Sequence, residues 1–110
     1  QGHWSLNEPS RAQLDSTLSQ FARTGLKLHI TELDISVYPK EQQQSDMKGE
    51  DHDTSFSSDK EQKQREVYAM CFEVFRKYNS VIESVTFWNI SDRHSWLDNF
   101  PVRGRKNYPL

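Results

Sequence analysis

The stretch that decides the fold is Lys27-Leu28-His29-Ile30-Thr31-Glu32-Leu33-Asp34-Ile35, an apolar run that ends in two carboxylates. Its composition predicts a β-strand. Because side chains alternate across a strand, we expect two faces, with Ile30, Glu32 and Asp34 on one and His29, Thr31 and Leu33 on the other. If this strand lines a cleft, Glu32 is a candidate nucleophile or general base.

A helix is predicted on each side of this strand. Before it, the helical pattern covers residues 7–24, with Pro9 in the first turn and Gly25 as the C-terminal stop. After it comes a long polar stretch, residues 36–58, which has no periodicity and is predicted to be a surface loop. Ser58 and Glu61 have the spacing of a capping box and introduce the second helix, which Asn79 can close. The pattern therefore predicts strands and helices in alternation.

A further strand is predicted at about residues 84–89, and a strand remnant at the start of the chain. Strands that alternate with helices indicate parallel βαβ units. Two complete strands and one remnant cannot close a sheet, so we expect a portion of a larger α/β structure. A (β/α)8 barrel explains best why polar groups follow each strand.

Composition excludes several classes of function. The chain has 110 residues, is 34% hydrophobic and carries a formal net charge of −2 with mixed signs. Its core is therefore thin for an independent fold, and neither nucleic acid nor a membrane surface is an expected partner. No window approaches the roughly 18 apolar residues of a membrane span. Gln1-Gly2-His3-Trp4 contains no initiator methionine or leader, so we expect a cut piece or a processed product.

Cys71 is the only cysteine, which excludes an intrachain disulfide and a cysteine-rich metal site. Its apolar neighbours predict a packed core thiol. Five residues invite a metal-site interpretation, but no ligand spacing supports it: His29, His52, His94, Asp51 and Asp53. We therefore predict neither a metal nor another cofactor.

The three strand ends carry the unusual side chains. They are Gln1 and His3 at the first, Glu32 and Asp34 at the second, and Trp88, Asp92 and Trp96 after the third. In a parallel barrel these ends meet on one rim. Indole faces stack on pyranose rings while polar groups bind hydroxyls, and glycoside hydrolysis requires two carboxyl groups. The pattern therefore favours a sugar-binding cleft.

Three motifs carry a resemblance to a known family: Gln1-Gly2-His3, Thr31-Glu32-Leu33-Asp34, and Phe87-Trp88-Asn89 continuing to Asp92-Arg93-His94-Ser95-Trp96. In order and spacing they resemble the C-terminal part of glycoside hydrolase family 10, the endo-1,4-β-xylanases, over essentially the whole chain. The resemblance implies that residues 1–110 are part of one catalytic domain and supply about strands 6 to 8 of its (β/α)8 barrel.

The resemblance also implies roles for individual residues. Glu32 matches the nucleophile of a retaining enzyme, His3 the histidine bonded to it, and Asp34 the acid that orients this histidine. The residues that match substrate-binding positions are Gln1, Trp88 and Trp96. The implied partners are xylan or xylo-oligosaccharides and the missing N-terminal part of the barrel. Because polymeric xylan cannot enter a cell, we expect a secreted, periplasmic or cell-surface protein.

Two departures from the family pattern limit these expectations. The general acid/base glutamate lies in an Asn-Glu pair near the family's fourth strand, whereas Asn7-Glu8 here begins a helix, so the chain by itself should not turn over. Asn89 stands where the family usually has glycine and could shift the backbone. The alternative is a non-catalytic xylan-binding or incomplete fragment. A further possibility is that another chain supplies the remaining strands.

Overall fold

The structure is a computed structural model and describes residues 1–38, 55–100 and 105–110. The described elements are β1 (His3–Ser5), α1 (Arg11–Ala22), β2 (Leu28–Ser36), α2 (Ser58–Lys77) and β3 (Ile82–Phe87), followed by two 3-10 helices, Asp92–His94 and Trp96–Asp98. The polar loop predicted at about 36–58 falls largely on residues 39–54, outside the described ranges. No α-helix in the described part has the length and apolar character that a membrane crossing requires.

The three strands form one sheet in the order β1-β2-β3, and both pairs are parallel. Parallel neighbours need a crossover connection, which α1 supplies between the first pair. In β1 and β2, His3 lies opposite Asp34. The predicted alternation of parallel strands with helices is therefore confirmed, and the register already brings two candidate site residues together.

The predicted start of the first helix is wrong. The helix begins at Arg11 with Ser10 as its N-cap: Ser10 Oγ accepts from the Gln13 backbone N–H, and the Gln13 side chain accepts from the Ser10 backbone N–H. This capping box satisfies donors that the first turn leaves without partners. Pro9 consequently precedes the cap rather than occupying the first turn. Gly25 has φ +73 and follows the helix, in the conformation expected of a stop.

The boundaries of the later elements shift by one or two residues. The N-cap of α2 is Ser57, whose hydroxyl accepts from the Lys60 backbone N–H, so the predicted Ser58–Glu61 capping box is wrong. The helix ends at Lys77 with Tyr78 as its C-cap, rather than at Asn79. Strand β3 begins two residues earlier than predicted. Serines are consecutive here, and only the backbone conformation decides which of them caps.

The core lies between the sheet and the two helices. Leu33 of β2 is fully buried there, and the other buried members come from α1 and α2: Leu14, Leu18, Cys71, Val74 and Phe75. Burying a side chain such as Leu33 contributes about 1.5–3 kcal/mol. Burial raises the pKa of the Cys71 thiol to about 12, so this group is a packed, protonated thiol as predicted.

A bulge interrupts β2 between Ile30 and Leu33. Ile30 pairs with Val85 and Leu33 with Phe87, so three steps along β2 match two along β3, and Glu32 has φ 57. An extra residue of this kind reverses the alternation of the side chains beyond it. Ile30 and Leu33 both pack on the core as a result. The prediction that Ile30 shares the face of Glu32 is therefore wrong.

Candidate active site

The β1–β2 pairing assembles a hydrogen-bonded group around Glu32. The His3 ring lies between two carboxylates, with Nε2 3.0 Å from Glu32 Oε2 and Nδ1 3.0 Å from Asp34 Oδ1. Gln1 Nε2 donates to the second oxygen of Glu32, Oε1, at 2.9 Å. These three contacts join four of the six predicted site residues, and Trp96 is the fifth, bonded to Asp34 as described below.

The two nitrogens of the His3 ring each face a carboxylate, so the number of N–H groups on the ring matters. A neutral imidazole carries one N–H and can donate to only one of the two carboxylates, whereas an imidazolium donates to both. The ring is 28% exposed, and Asp34 is 1% exposed. Asp34 is the more deeply buried of the two acids.

The backbone at Glu32 is unusual. Within the described residues, Glu32 is the only non-glycine residue with a positive φ, at 57. Such conformations are uncommon outside glycine and concentrate at functional sites, where neighbouring contacts hold them. Here the bulge points the Glu32 side chain at Gln1 and His3, with 22% of the side chain exposed. The carboxylate is thus held from both oxygens and still reachable from the cleft.

Asp34 has a second partner that the sequence did not suggest. Its Oδ2 accepts a hydrogen bond from Trp96 Nε1 at 2.7 Å. The two residues are 62 positions apart, and no spacing or motif connects an indole to a particular carboxylate at that separation. Only the packing of the loop after β3 against β2 creates the contact.

The two predicted tryptophans flank His3. The Trp96 ring lies 5.0 Å from the His3 ring at 63°, and the Trp88 ring lies 6.5 Å away at 74°. Trp88 is 49% exposed, and Phe100, which the sequence did not single out, stacks on Trp96 at 5.4 Å. These rings form an aromatic wall beside Glu32. Exposed indole faces of this kind are suited to the apolar faces of sugars.

Asn89 does not strain the loop after β3. Its φ is not positive, so asparagine takes the place of the family's glycine without a left-handed backbone. The side chain is 9% exposed, and its Nδ2 has no partner among the described residues. The absence of a left-handed backbone removes one source of strain, and the predicted slight shift of the backbone at Asn89 stays a prediction.

A second histidine lies toward the opposite end of the sheet. His29 Nδ1 is 2.7 Å from Ser84 Oγ, and its Nε2 is 3.5 Å from Glu83. Both partners of the ring belong to β3. The prediction that His29 points away from Glu32 assumed an uninterrupted alternation along β2 and stays a prediction. Among residues 1–38, 55–100 and 105–110, no three histidine, cysteine, aspartate or glutamate side chains are grouped to hold a metal. Asp51, His52 and Asp53 lie outside these ranges.

Comparisons with known proteins agree with this geometry. The model of glycosyl hydrolase family 10 matches residues 1–110. Endo-1,4-beta-xylanase from Geobacillus stearothermophilus is 42% identical over 110 residues, which cover 100% of this chain and 32% of the relative. Endo-1,4-beta-xylanase A from Caldicellulosiruptor saccharolyticus is 44% identical and is covered to 31%.

Solved structures show the same relation. The GH10 xylanase of Thermobacillus composti superimposes with a TM-score of 0.87 at 39% identity, covering 100% of this chain and 34% of that one. A mutant structure in complex with xylotriose gives a TM-score of 0.85 at 42% identity, covering 100% of this chain and 32% of that one. The chain thus spans about a third of the length of the proteins it matches. The predicted fold class, the C-terminal portion of a (β/α)8 barrel, is confirmed, and the chain belongs to glycosyl hydrolase family 10.

Proposed function

We propose that this chain supplies the nucleophile of a retaining endo-1,4-β-xylanase, as the C-terminal third of a complete (β/α)8 barrel. One observation carries the proposal. The Glu32 carboxylate receives a donor on each oxygen, from Gln1 and His3, and stands beside the aromatic wall of Trp88 and Trp96. Relatives that are endo-1,4-beta-xylanases support the substrate class.

In the proposed reaction, Glu32 attacks the anomeric carbon of a xylose unit. The glycosidic bond breaks and an ester between Glu32 and the sugar forms, while a second carboxyl group protonates the leaving oxygen. The same group then removes a proton from water, which displaces Glu32 with net retention of configuration. The two carboxyl groups of such an enzyme lie about 5 to 5.5 Å apart.

The second carboxyl group comes from the remainder of the barrel. Glu8, in the chain's one Asn-Glu pair, forms a backbone bridge with Ser5 in the turn after β1, in the segment that leads into α1, and we do not assign it this role. We therefore expect the isolated chain to be inactive. The hydrogen bonds from Gln1 and His3 stabilise the ionised carboxylate and fix its direction, and both conditions are required of an attacking group.

The proposed substrate is xylan or a xylo-oligosaccharide bound against Trp88 and Trp96. The similar structure in complex with xylotriose supports this choice. A polymeric substrate does not cross a cell membrane, so we propose that the complete protein acts in the secreted, periplasmic or cell-surface compartment.

The test uses a complete barrel, made by joining this chain to the N-terminal two-thirds of the Thermobacillus composti GH10 xylanase. Glu32→Gln should lower kcat on xylan by at least about 10⁴-fold, because the nucleophile is lost. Glu83→Gln, at the opposite end of the sheet, is the matched control and should stay within about threefold. Mass spectrometry with a 2-fluoroxylobioside should find the sugar attached to the peptide that contains Glu32. Glu32→Gln with near wild-type turnover would contradict the assignment.

A binding module without catalysis is the second candidate, because Trp88 is half exposed beside Trp96. Titration of xylohexaose into the isolated chain separates the two cases. Saturable binding with a folded circular dichroism spectrum, together with an inactive complete barrel, would favour the binding module. No binding by the isolated chain, together with an active complete barrel, would favour the enzyme.

A further inference from the structure

We propose that Trp96 is a positioning residue for the nucleophile in addition to being a wall of the sugar site. Its indole N–H holds the buried carboxylate of Asp34, which through His3 fixes the direction of Glu32. The inference rests on the proposed role of Glu32 as nucleophile. It adds a group that is joined to that nucleophile through three hydrogen bonds in series, by way of Asp34 and His3.

The geometry of Asp34 carries the first step. Within the described ranges, two side-chain donors reach this 1% exposed carboxylate: His3 Nδ1 at 3.0 Å on Oδ1, and Trp96 Nε1 at 2.7 Å on Oδ2. A buried carboxylate without donors is strongly destabilised, so each of these bonds matters more than it would at the surface. Without the indole N–H, Asp34 Oδ2 keeps no side-chain donor among the described residues, and the carboxylate is free to turn. The contact of Asp34 Oδ1 that holds His3 at Nδ1 is then weakened.

The second step is that other contacts hold the indole in place. Phe100 stacks on the Trp96 ring at 5.4 Å, and Ser95 Oγ accepts from the Leu97 backbone N–H at 3.1 Å, which caps the short helix that begins at Trp96. Asp98 in the same helix accepts from the Asn107 backbone N–H at 2.8 Å. The Trp96 segment is therefore anchored by its own loop. It can orient Asp34 rather than being oriented by it.

Trp88 provides the internal comparison. It lies beside the same His3 ring but at 6.5 Å, and within the described ranges its indole N–H reaches no side-chain acceptor. Both tryptophans can stack on a sugar, but only Trp96 is bonded to the acid that orients His3. Loss of stacking should raise KM, whereas loss of positioning should lower kcat.

The kinetic test compares the same substitution at the two positions in the complete barrel, with a dinitrophenyl xylobioside whose leaving group needs no protonation. Trp96→Phe should lower kcat about tenfold and change KM by less than about threefold, the size expected when one hydrogen bond to a charged group is lost. Trp88→Phe should mainly raise KM. In an Asp34→Asn background, Trp96→Phe should have almost no further effect on kcat, while Trp88→Phe keeps its full effect.

A spectroscopic readout tests the bond without removing either tryptophan. In a barrel with ¹⁵N-labelled tryptophan, the Trp96 indole proton should resonate downfield and exchange slowly. Asp34→Asn should move this signal and accelerate its exchange, and it should leave the Trp88 signal in place. An unmoved Trp96 signal, or equal and additive kinetic effects of the two Phe substitutions, would overturn the inference. Full activity of Glu32→Gln would instead overturn the proposed function, so the two failures are distinguishable.

Discussion

The two ends of one sheet place a histidine among polar side chains in two different ways. His3 lies 3.0 Å from each of two carboxylates, Glu32 and Asp34. Asp34 is 1% exposed and also accepts a hydrogen bond from Trp96. His29 contacts a serine hydroxyl at 2.7 Å and a carboxylate at 3.5 Å, and its side chain is 54% exposed in this chain. The residue types are similar. Burial and fully used hydrogen-bonding groups distinguish the candidate active site.

The difference has a structural origin. At the His3 end, three segments converge: β1, the bulged part of β2, and the loop after β3. At the His29 end, the described polar contacts of the ring join β2 to β3. A third segment adds Trp96, which closes the network around Asp34. Chemistry at the active-site end of a barrel is built from several strand ends in the same way.

Among the changes that compare the two ends of the sheet, the largest effect is expected from the same substitution at the two histidines in the complete barrel. His3→Asn should lower kcat on xylan by about 100-fold, because the shorter amide can replace the ring at Nδ1 but does not reach the position of Nε2, so Glu32 loses that contact. His29→Asn should change kcat by less than about threefold, since the described partners of this ring are Ser84 and Glu83. Steady-state kinetics on both variants decides. Equal losses would mean that the comparison between the two ends is wrong.

The next effect concerns the bulge that separates the core from the cleft. Leu33→Ala should lower the free energy of unfolding by about 2–5 kcal/mol, because it opens a cavity in the buried cluster. Ile30→Ala should cost less, since its side chain is only partly buried there. Urea unfolding of the complete barrel measures both. Because Ile30 faces the core, its removal should leave KM unchanged, and a raised KM would contradict the bulge.

The smallest expected effect is on stability, and it comes from an ion pair between α1 and α2, Asp15 with Lys77. A hydrogen bond from Lys77 lowers the pKa of Asp15, and the same bond raises the pKa of Lys77. Stability from Asp15 is therefore present above the carboxyl group's ordinary pKa and is lost as pH falls through its lowered value. Stability from Lys77 is present below its ordinary pKa and is lost as pH rises through the raised one.

The Asp15→Asn variant should accordingly unfold at a lower temperature than the parent near pH 7. This difference in unfolding temperature should become smaller toward pH 3. Thermal unfolding across pH measures it, and Lys77→Met should reproduce the result. Both groups are exposed, so the effect is small. A gap that persists unchanged at pH 3 would show that the ion pair is not its cause.

Much of the fold could be predicted from the sequence, because periodicity and composition are local properties. The strand around Glu32, both helices and the parallel alternation were all predicted. Helix starts were missed by up to four residues, since adjacent candidates such as Ser57 and Ser58 differ only in backbone conformation. The sequence does not predict the bulge in β2, because one inserted residue changes neither the composition of the strand nor its overall apolar character.

The sequence alone determined the family, the fold class and the candidate residues, since motif order and spacing are preserved along the chain. Only the tertiary structure decided how those residues are connected. The left-handed backbone at Glu32, the stacking of Phe100 and the bond from Trp96 to Asp34 all depend on segments far apart in sequence. The physical reason is that a buried carboxylate takes whichever donors packing brings within reach. Which donors reach Asp34 therefore depends on how distant segments pack together, and not on the local sequence.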